Sequence, residues 1–407
     1  MSQIETPYLG LAPFLRMNIA GTDLRPIAQE MLTHADAAPD DANLWMNLSI
    51  LMQCLGHRDL GLTMQAQALS LTRGYHIAAA QQPAKLRLLL LMAPGDLSAN
   101  TPLDCLLENS DIDLDFYFMV PGDALDLPLP EHDALMVAIG ESDQNSALLA
   151  ALEPVMAHWP RPVINAAQNI LRTERNAASR LLQHAPGLRI PPTLRVTRQR
   201  LHDVATGAAI LAALFEDCDF PIILRPVGSH AGIDLDKIER PEEIAAYLDR
   251  VGATDFFVSR FIDYSGKDGL FRKFRIALIA GEAFACHMAV SSDWMVHYVN
   301  AGMYEDAQKR EEEAAFMAHF DAFVQRHRAA LDAIYTRADL DYMCVDCAET
   351  QDGQLLVFEI DHAMVVHAMD QEQMFPYKQQ PMQKVKTAFR DLLVQLTSAS
   401  DTEHSDR

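Results

Sequence analysis

Apolar positions recur along this chain with two periods, and the switch between them marks its parts. From residue 22 to about 80 the spacing is helical, as in ANLWMNLSILMQCLGHRDLGLTMQAQALSL. From Lys85 it becomes strand-like. LRLLLLMA (86–93) is a continuous apolar run of the kind buried in a parallel sheet, followed by the loop PGDLSANTP and a helix through Cys105–Leu107. DLDFYFMVP and DALMVAIG read as further strands, with a helix near Asn145 to His158. This alternation predicts a small open α/β domain with ligand loops, including Gly95 and Asn100, at the carboxyl ends of its strands.

The pattern continues with a strand, RPVIN (161–165), and a helical stretch. FPIILRPVGSHAGIDLDKIE (220–239) then places two strands around Gly228-Ser229-His230-Ala231-Gly232, a loop whose backbone N–H groups could close over phosphates. PEEIAAYLDRV is a helix with Pro241 at its start and acids in its first turn. DFFVSRFID (255–263) is a strand, and RKFRIALIAGEAFACHMAV a hairpin about Ala280-Gly281. One long helix is predicted over 306–335, with Phe316, Phe320, Phe323, Val324, Leu331 and Ile334 on its apolar face. KVKTAFRDLLVQL is the last helix, and SASDTEHSDR reads as disordered.

The stretch Asp341–Asp361, DYMCVDCAETQDGQLLVFEID, carries the chemistry. Asp352-Gly353 between two apolar runs predicts a hairpin with a type I′ turn. If those two residues are the loop, Gln351 faces Gln354 and Asp346 lies directly opposite Glu359. Asp361, Ala348 and Val357 then share their face, while Met343, Val345, Leu356, Phe358 and Ile360 form the core face. Three carboxylates on one face repel each other, so a cation belongs between them, and oxygen-only donors suit Mg²⁺ or Mn²⁺. The bland alternative is a pair of solvated strand residues in a register shifted by one.

Composition narrows the classes. Hydrophobic residues make up 49% and charged residues 22% of 407, as in a soluble globular chain of two or three domains. The formal net charge of −23 argues against nucleic-acid or anionic-membrane partners, and a basic cleft inside such a chain would mark an anion site. MSQIETPYLGLAPFLRMN lacks the features of a signal peptide and no run reaches transmembrane length, so a cytoplasmic location is expected. Six scattered cysteines form no disulfide framework. Cys344 and Cys347, three apart on a strand, point to opposite faces and read as packed thiols. Eight arginines lie between 161 and 200 against one acid, Glu174: a stripe facing phosphates, or a solvated helix face. His362 and His367 either touch substrate or are ordinary hydrogen-bonded histidines.

An Asp, twelve residues and then Glu-X-Asn around a DG-type turn is the metal-binding signature of the ATP-grasp ligases, and Asp346, Glu359 and Asp361 resemble it, with Asp in place of Asn. The resemblance extends over residues 85–396. It implies an ATP-grasp fold of mixed α/β (α+β) class, with a small α/β domain (81–164), a lid subdomain (165–255), a core subdomain (256–398) and a tail (399–407). Asn165, Arg175 and Pro192-Thr193 match the turn, the phosphate-binding cation and the strand that follow in the family, with Arg in place of Lys. Arg225 likewise replaces the Lys that bridges the α- and β-phosphates, beside the loop of Gly228, Ser229, His230 and Gly232. The strand ending at Arg260 and Asp263 would contact adenine and ribose. Arg275, with Lys273 on the same face, resembles the γ-phosphate arginine of the glutamate-ligase-like branch, and Asn300-Ala301-Gly302 its Asn loop.

The implied reaction is phosphorylation of a carboxylate by ATP with Mg²⁺ or Mn²⁺, then attack on the acyl-phosphate by an amine or thiol. The substrates would be small molecules or peptides, with Arg275 and Arg225 stabilising the transferring phosphoryl group. Two alternatives stay open: a kinase acting on a hydroxyl, and a non-catalytic nucleotide-binding scaffold. Residues 1–80 resemble a tetratricopeptide (TPR-like) segment through Trp45, Leu48, Gly56, Gly61 and Ala68. That segment implies a docking surface for a peptide or carrier protein, or else a helical cap or homodimer contact.

Overall fold

The computed structural model describes residues 6–120, 129–213, 218–230 and 232–405. The chain forms two compact units. The first holds residues 1–170, 340–344 and 361–407, the second residues 171–339 and 345–360. Within the described residues the class is mixed α/β, as expected.

In the first unit, helices α1 (Ala12–Ile19), α2 (Arg25–Ala37), α3 (Ala42–Cys54) and α4 (Arg58–Leu71) precede strands β1 (Gly74–Ile77) and β2 (Leu86–Met92). Then come α5 (Leu103–Leu107), β3 (Ile112–Phe118), β4 (Ala134–Val137), α6 (Ser146–Met156), β5 (Val163–Ile164) and α7 (Ala167–Ile170). The sheet order is β1-β3-β2-β4-β5. β2 to β5 run parallel and β1 antiparallel to β3. Leu88 to Leu91 are fully buried, as a central parallel strand requires.

The helical reading of 22–80 is too long, because the helices stop at Leu71 and β1 already belongs to the sheet. Tyr75 of β1 is buried between Tyr8 and Phe118. α3 and α4 meet closely at Gly61, where a Cβ would lie 2.8 Å from the Ser49 carbonyl oxygen. Their polar contacts are made with the chain itself. The Asn47 amide donates to the Pro7 carbonyl (2.8 Å) and accepts from Leu9 N (2.8 Å), and Gln65 brackets both backbone groups of Gly95. Buried Asn100 does the same at Ala93, so the Gly95 backbone and the Asn100 side chain are both engaged within the chain.

The second unit contains α8 (Arg175–Leu182), β6 (Leu188–Arg189), β7 (Thr193–Thr197), α9 (Arg198–Ala205), β8 (Ile222–Pro226), β9 (Asp236–Ile238) and α10 (Pro241–Arg250). These are followed by β10 (Asp255–Arg260), β11 (Phe271–Ile279), β12 (Glu282–Ser291), α11 (Ala307–Ala318) and α12 (Phe320–Ala338). β13 (Tyr342–Glu349) and β14 (Leu355–Asp361) complete it, and α13 (Gln379–Ser405) belongs to the first unit. The sheets are ordered β7-β10-β8-β9 and β12-β11-β13-β14-β6.

Three expectations change here. The helix over 306–335 is two helices broken at His319, and Phe316, Phe320 and Phe323 cluster across the break, with Phe274 of β11 against Phe316 and Phe323. α13 continues to Ser405, through most of the tail read as disordered; residues 406–407 lie outside the described residues. The turn between β13 and β14 is the third. Thr350 N donates to Gln354 O (3.0 Å) and accepts at its own carbonyl from Gly353 N (2.9 Å), closing a three-residue loop, Gln351–Gly353. Only Gly353 has positive φ (80°), and the Thr350 hydroxyl accepts from Gln354 N (3.0 Å). A side chain able to bond across the turn favours this wider reversal over type I′. Counting outward from Thr350–Gln354 sets Ala348 across from Leu356, and the two pack in one cluster with Phe358, not on opposite faces. The basis for placing Asp346 directly opposite Glu359 is therefore lost. By contrast, Ala280 (φ 50°) and Gly281 (φ 83°) do make the two-residue reversal expected between β11 and β12.

No helix among the described residues is long and apolar enough to cross a membrane.

Candidate phosphate site in the second unit

Strand parity sets out the site. On β11, Phe274 turns to the helices, which puts Lys273 and Arg275 on the other face. On β8, Ile222 and Leu224 enter the core against Ile244 and Phe256, leaving Arg225 on the opposite face. Arg175 is the first residue of α8, whose N-cap Glu174 accepts from Ala177 N (2.6 Å). A cation at a helix N-terminus is unfavourable on dipole grounds, and an anion answers it: Glu359 Oε1 lies 2.5 Å from Arg175 Nη2.

Asp346 is the most enclosed member, its side chain 2% exposed. Oδ1 accepts from Arg275 Nε (2.7 Å), and Oδ2 accepts from Arg275 Nη2 (3.0 Å) and Lys273 Nζ (2.7 Å). Burial alone would raise this carboxyl's pKa; Arg275 and Lys273 outweigh it and hold the group well below the ordinary range. Glu359 follows the same balance. Burial raises it, Arg175 and Arg225 pull it down to about 2, and repulsion from Asp346 works against them. Arg225 is pushed down to about 9, by burial first and then by Arg175, with Glu359 giving partial relief.

Arg225 also donates to the Ser229 carbonyl, fastening the glycine loop to β8. Among the described residues, Arg225 Nε and Ser229 Oγ are buried without a hydrogen-bond partner, which is costly unless something supplies one. Gly228 (φ 75°) and Gly232 (φ 73°) bound this loop; Ala231 lies outside the described residues. A Cβ on Gly232 would sit 3.2 Å from His297 Nε2 and 3.3 Å from Met295 Sδ. Gly232→Ala is therefore expected to cost about 1–2 kcal/mol through the left-handed backbone. Faster amide exchange at residues 228–233 would report it, and unchanged exchange would show that the loop does not need the glycine.

Sequence reasoning missed His297. Its pKa is lowered by burial first, then by Lys273 and Arg275, while Asp346 and Glu359 raise it, so it stands among the site charges. The signal was the Asn300 loop, whose side chain works internally: Asn300 Oδ1 accepts from His297 N (2.8 Å). Glu313, fully buried, holds the same loop by accepting from Tyr298 Oη (2.9 Å) and Met288 N (3.0 Å).

Other expected residues stand elsewhere. Arg260 and Asp263 are exposed, and Asp263 caps its own turn at Ser265 N (2.9 Å). His230 is exposed on the loop. Asp361 belongs to the first unit and accepts from Ala363 N (2.9 Å). His362, fully buried beside it, is pulled down to about 4 by burial, against the backbone carbonyls of Ile139 and Ala138 that act the other way; it is a neutral core histidine. Of the eight arginines of the stripe, two are structural and five, Arg161, Arg180, Arg189, Arg195 and Arg200, are exposed. Arg172 donates to the Arg337 and Ala338 carbonyls at the end of α12, and Arg198 to those of Leu248, Val251 and Ala253 at the end of α10. Asn165 clamps Tyr342, donating to its carbonyl (2.8 Å) and accepting from its N–H (3.0 Å). Cys344 and Cys347 are buried, and neither forms a disulfide.

The three expected metal carboxylates do not fit a resident ion as they stand. Both Asp346 oxygens and one of Glu359 are bonded to side-chain cations, and Asp361 caps its own turn. No group of three His, Cys, Asp or Glu among the described residues is placed to hold a metal.

The described part of the chain thus presents a mixed α/β protein with a half-buried, cation-rich site in its second unit. Its structure is similar to that of a RimK domain ATP-grasp protein from Sphaerobacter thermophilus (17% identity, 76% of this chain, 99% of that one, TM-score 0.42). It is also similar to the VanG D-Ala:D-Ser ligase of Enterococcus faecalis (13%, 77% and 99%, 0.47) and the D-alanine-D-alanine ligase of Coxiella burnetii (12%, 79% and 98%, 0.46). No protein-family model and no curated protein matches the sequence.

Proposed function

We propose that the second unit binds the phosphates of ATP and that the chain is an ATP-dependent ligase of the ATP-grasp kind, activating a carboxylate as an acyl-phosphate for attack by an amine or thiol. The observation that carries this reading is the convergence of Arg175, Arg225, Lys273 and Arg275, from three separate elements, around two carboxylates in a chain of net charge −23. An acidic protein that concentrates cations in a half-buried site has made a place for a polyanion.

In that role Arg275 and Arg175 offer planar forks suited to phosphate oxygens, and Lys273 a compact charge. Arg225 Nε and Ser229 Oγ would gain the partner they lack among the described residues. The loop 228–233 would keep water from an acyl-phosphate, whose hydrolysis wastes the nucleotide. A carboxylate needs such activation because oxide is a poor leaving group and phosphate a good one.

Calorimetric binding of ATP, followed by ADP release in the presence of pooled carboxylates and amines, tests the reading. ADP formed with a hydroxyl acceptor alone would favour a kinase. ATP binding without turnover across the pool would favour a scaffold, and absence of ATP binding would overturn the site.

A further inference from the structure

Resting on the phosphate-site reading, a further donor emerges at His297. The loop that carries it is held in place from beneath. Val296, Ala301 and Met303 are buried, Lys309 Nζ donates to the Ala301 carbonyl (2.6 Å) and Arg310 Nη1 to that of Met303 (2.8 Å). His297 and Asn300 then close a capping box, in which Asn300 Oδ1 accepts from His297 N (2.8 Å) and the His297 side chain accepts from Asn300 N. A ring nitrogen that accepts carries no proton, so the imidazole is neutral and its one proton sits on the other nitrogen. Nδ1, the nitrogen nearer its own backbone, serves the cap. Nε2 is turned to the glycine loop, 3.2 Å from where a Gly232 Cβ would sit, and has no hydrogen-bond partner among the described residues. Burial and the cations Lys273 and Arg275 disfavour a second proton on the ring, and they outweigh Asp346 and Glu359.

We propose that His297 is a nucleotide-binding residue: its neutral Nε2–H donates to a phosphate oxygen held between the glycine loop and the pair Lys273 and Arg275. A fifth cation here would add to the repulsion that Arg225 already meets from Arg175. An uncharged donor on a fixed loop supplies direction without charge, and nothing has to be reordered when the oxygen arrives.

Two amide variants separate the two ring nitrogens. Asparagine sets its amide oxygen near the position of Nδ1 and is a good cap, whereas glutamine sets its amide near that of Nε2 and is a poor one. His297→Asn should therefore keep amide exchange at Asn300 as slow as in wild type and lose about tenfold or more in calorimetric ATP affinity, the worth of a hydrogen bond to a charged group. His297→Gln should do the reverse, binding ATP close to wild type while exchange at Asn300 quickens. In the ¹⁵N spectrum of the imidazoles, the ring whose signals vanish in His297→Asn should show a protonated Nε2 and a bare Nδ1 near neutral pH, and ATP should shift its Nε2. An Asn variant that binds ATP like wild type, a Gln variant as weak as the Asn variant, or an imidazolium pattern overturns the proposal. ATP bound equally by wild type and His297→Asn removes this donor and leaves the phosphate site standing, whereas wild-type protein that binds no ATP sinks the phosphate-site reading and the donor with it.

Discussion

Replacing Asp346 by alanine is expected to remove about 3–5 kcal/mol of stability, the cost typical of leaving buried charge without its partner. Two cations lose three charge-assisted bonds at once, and Asp346 is almost wholly enclosed, so water cannot take its place. The expected result is a large fall in urea midpoint, with Asp346→Asn intermediate because its carbonyl still accepts. A change below about 1 kcal/mol would show that Lys273 and Arg275 relax into solvent and that the pair holds nothing together. The pH dependence has a definite sign. Asp346 and Glu359 have native pKa values lowered from their ordinary ones, Glu359 to about 2, so their stabilisation is complete above pH ~5. It declines as pH falls from there towards 2. Asp346→Asn should therefore differ from wild type most at neutral pH and progressively less in acid.

Arg225→Met should act in opposite directions on stability and on ligand affinity. Without ligand, Arg225 carries a buried charge with one unpartnered nitrogen and lies against the repulsion of Arg175, which is why its pKa falls to about 9. Methionine keeps much of the stem and removes that cost, so the nucleotide-free chain should be as stable as wild type or more stable. ATP affinity should fall at least about tenfold, the worth of one charge-assisted hydrogen bond or more. Thermal melting with and without ATP reads both effects. Equal loss of stability and affinity would make Arg225 a structural residue that only supports the loop.

What the sequence determined by itself is local: which residues extend, which turn, and which side of a strand each side chain takes. The apolar run at Leu88–Leu91, the reversal at Ala280-Gly281 and the shared face of Lys273 and Arg275 follow from backbone periodicity and from the φ angles that turn residues adopt, and the structure agrees with each. Partnership was decided only by the tertiary structure. Arg172, Arg198 and Arg175 look alike along the chain, yet the first two bond the carbonyls at helix ends, whereas the third pairs with the site carboxylate Glu359. Asp346 and Arg275, 71 residues apart, choose each other because both are withdrawn from water, where an unpaired charge is most expensive. The hairpin at Asp352-Gly353 shows the boundary between the two. Its existence was legible from composition, but its offset depended on a hydroxyl at Thr350 closing across the loop, and a one-residue offset is enough to change which side chains meet.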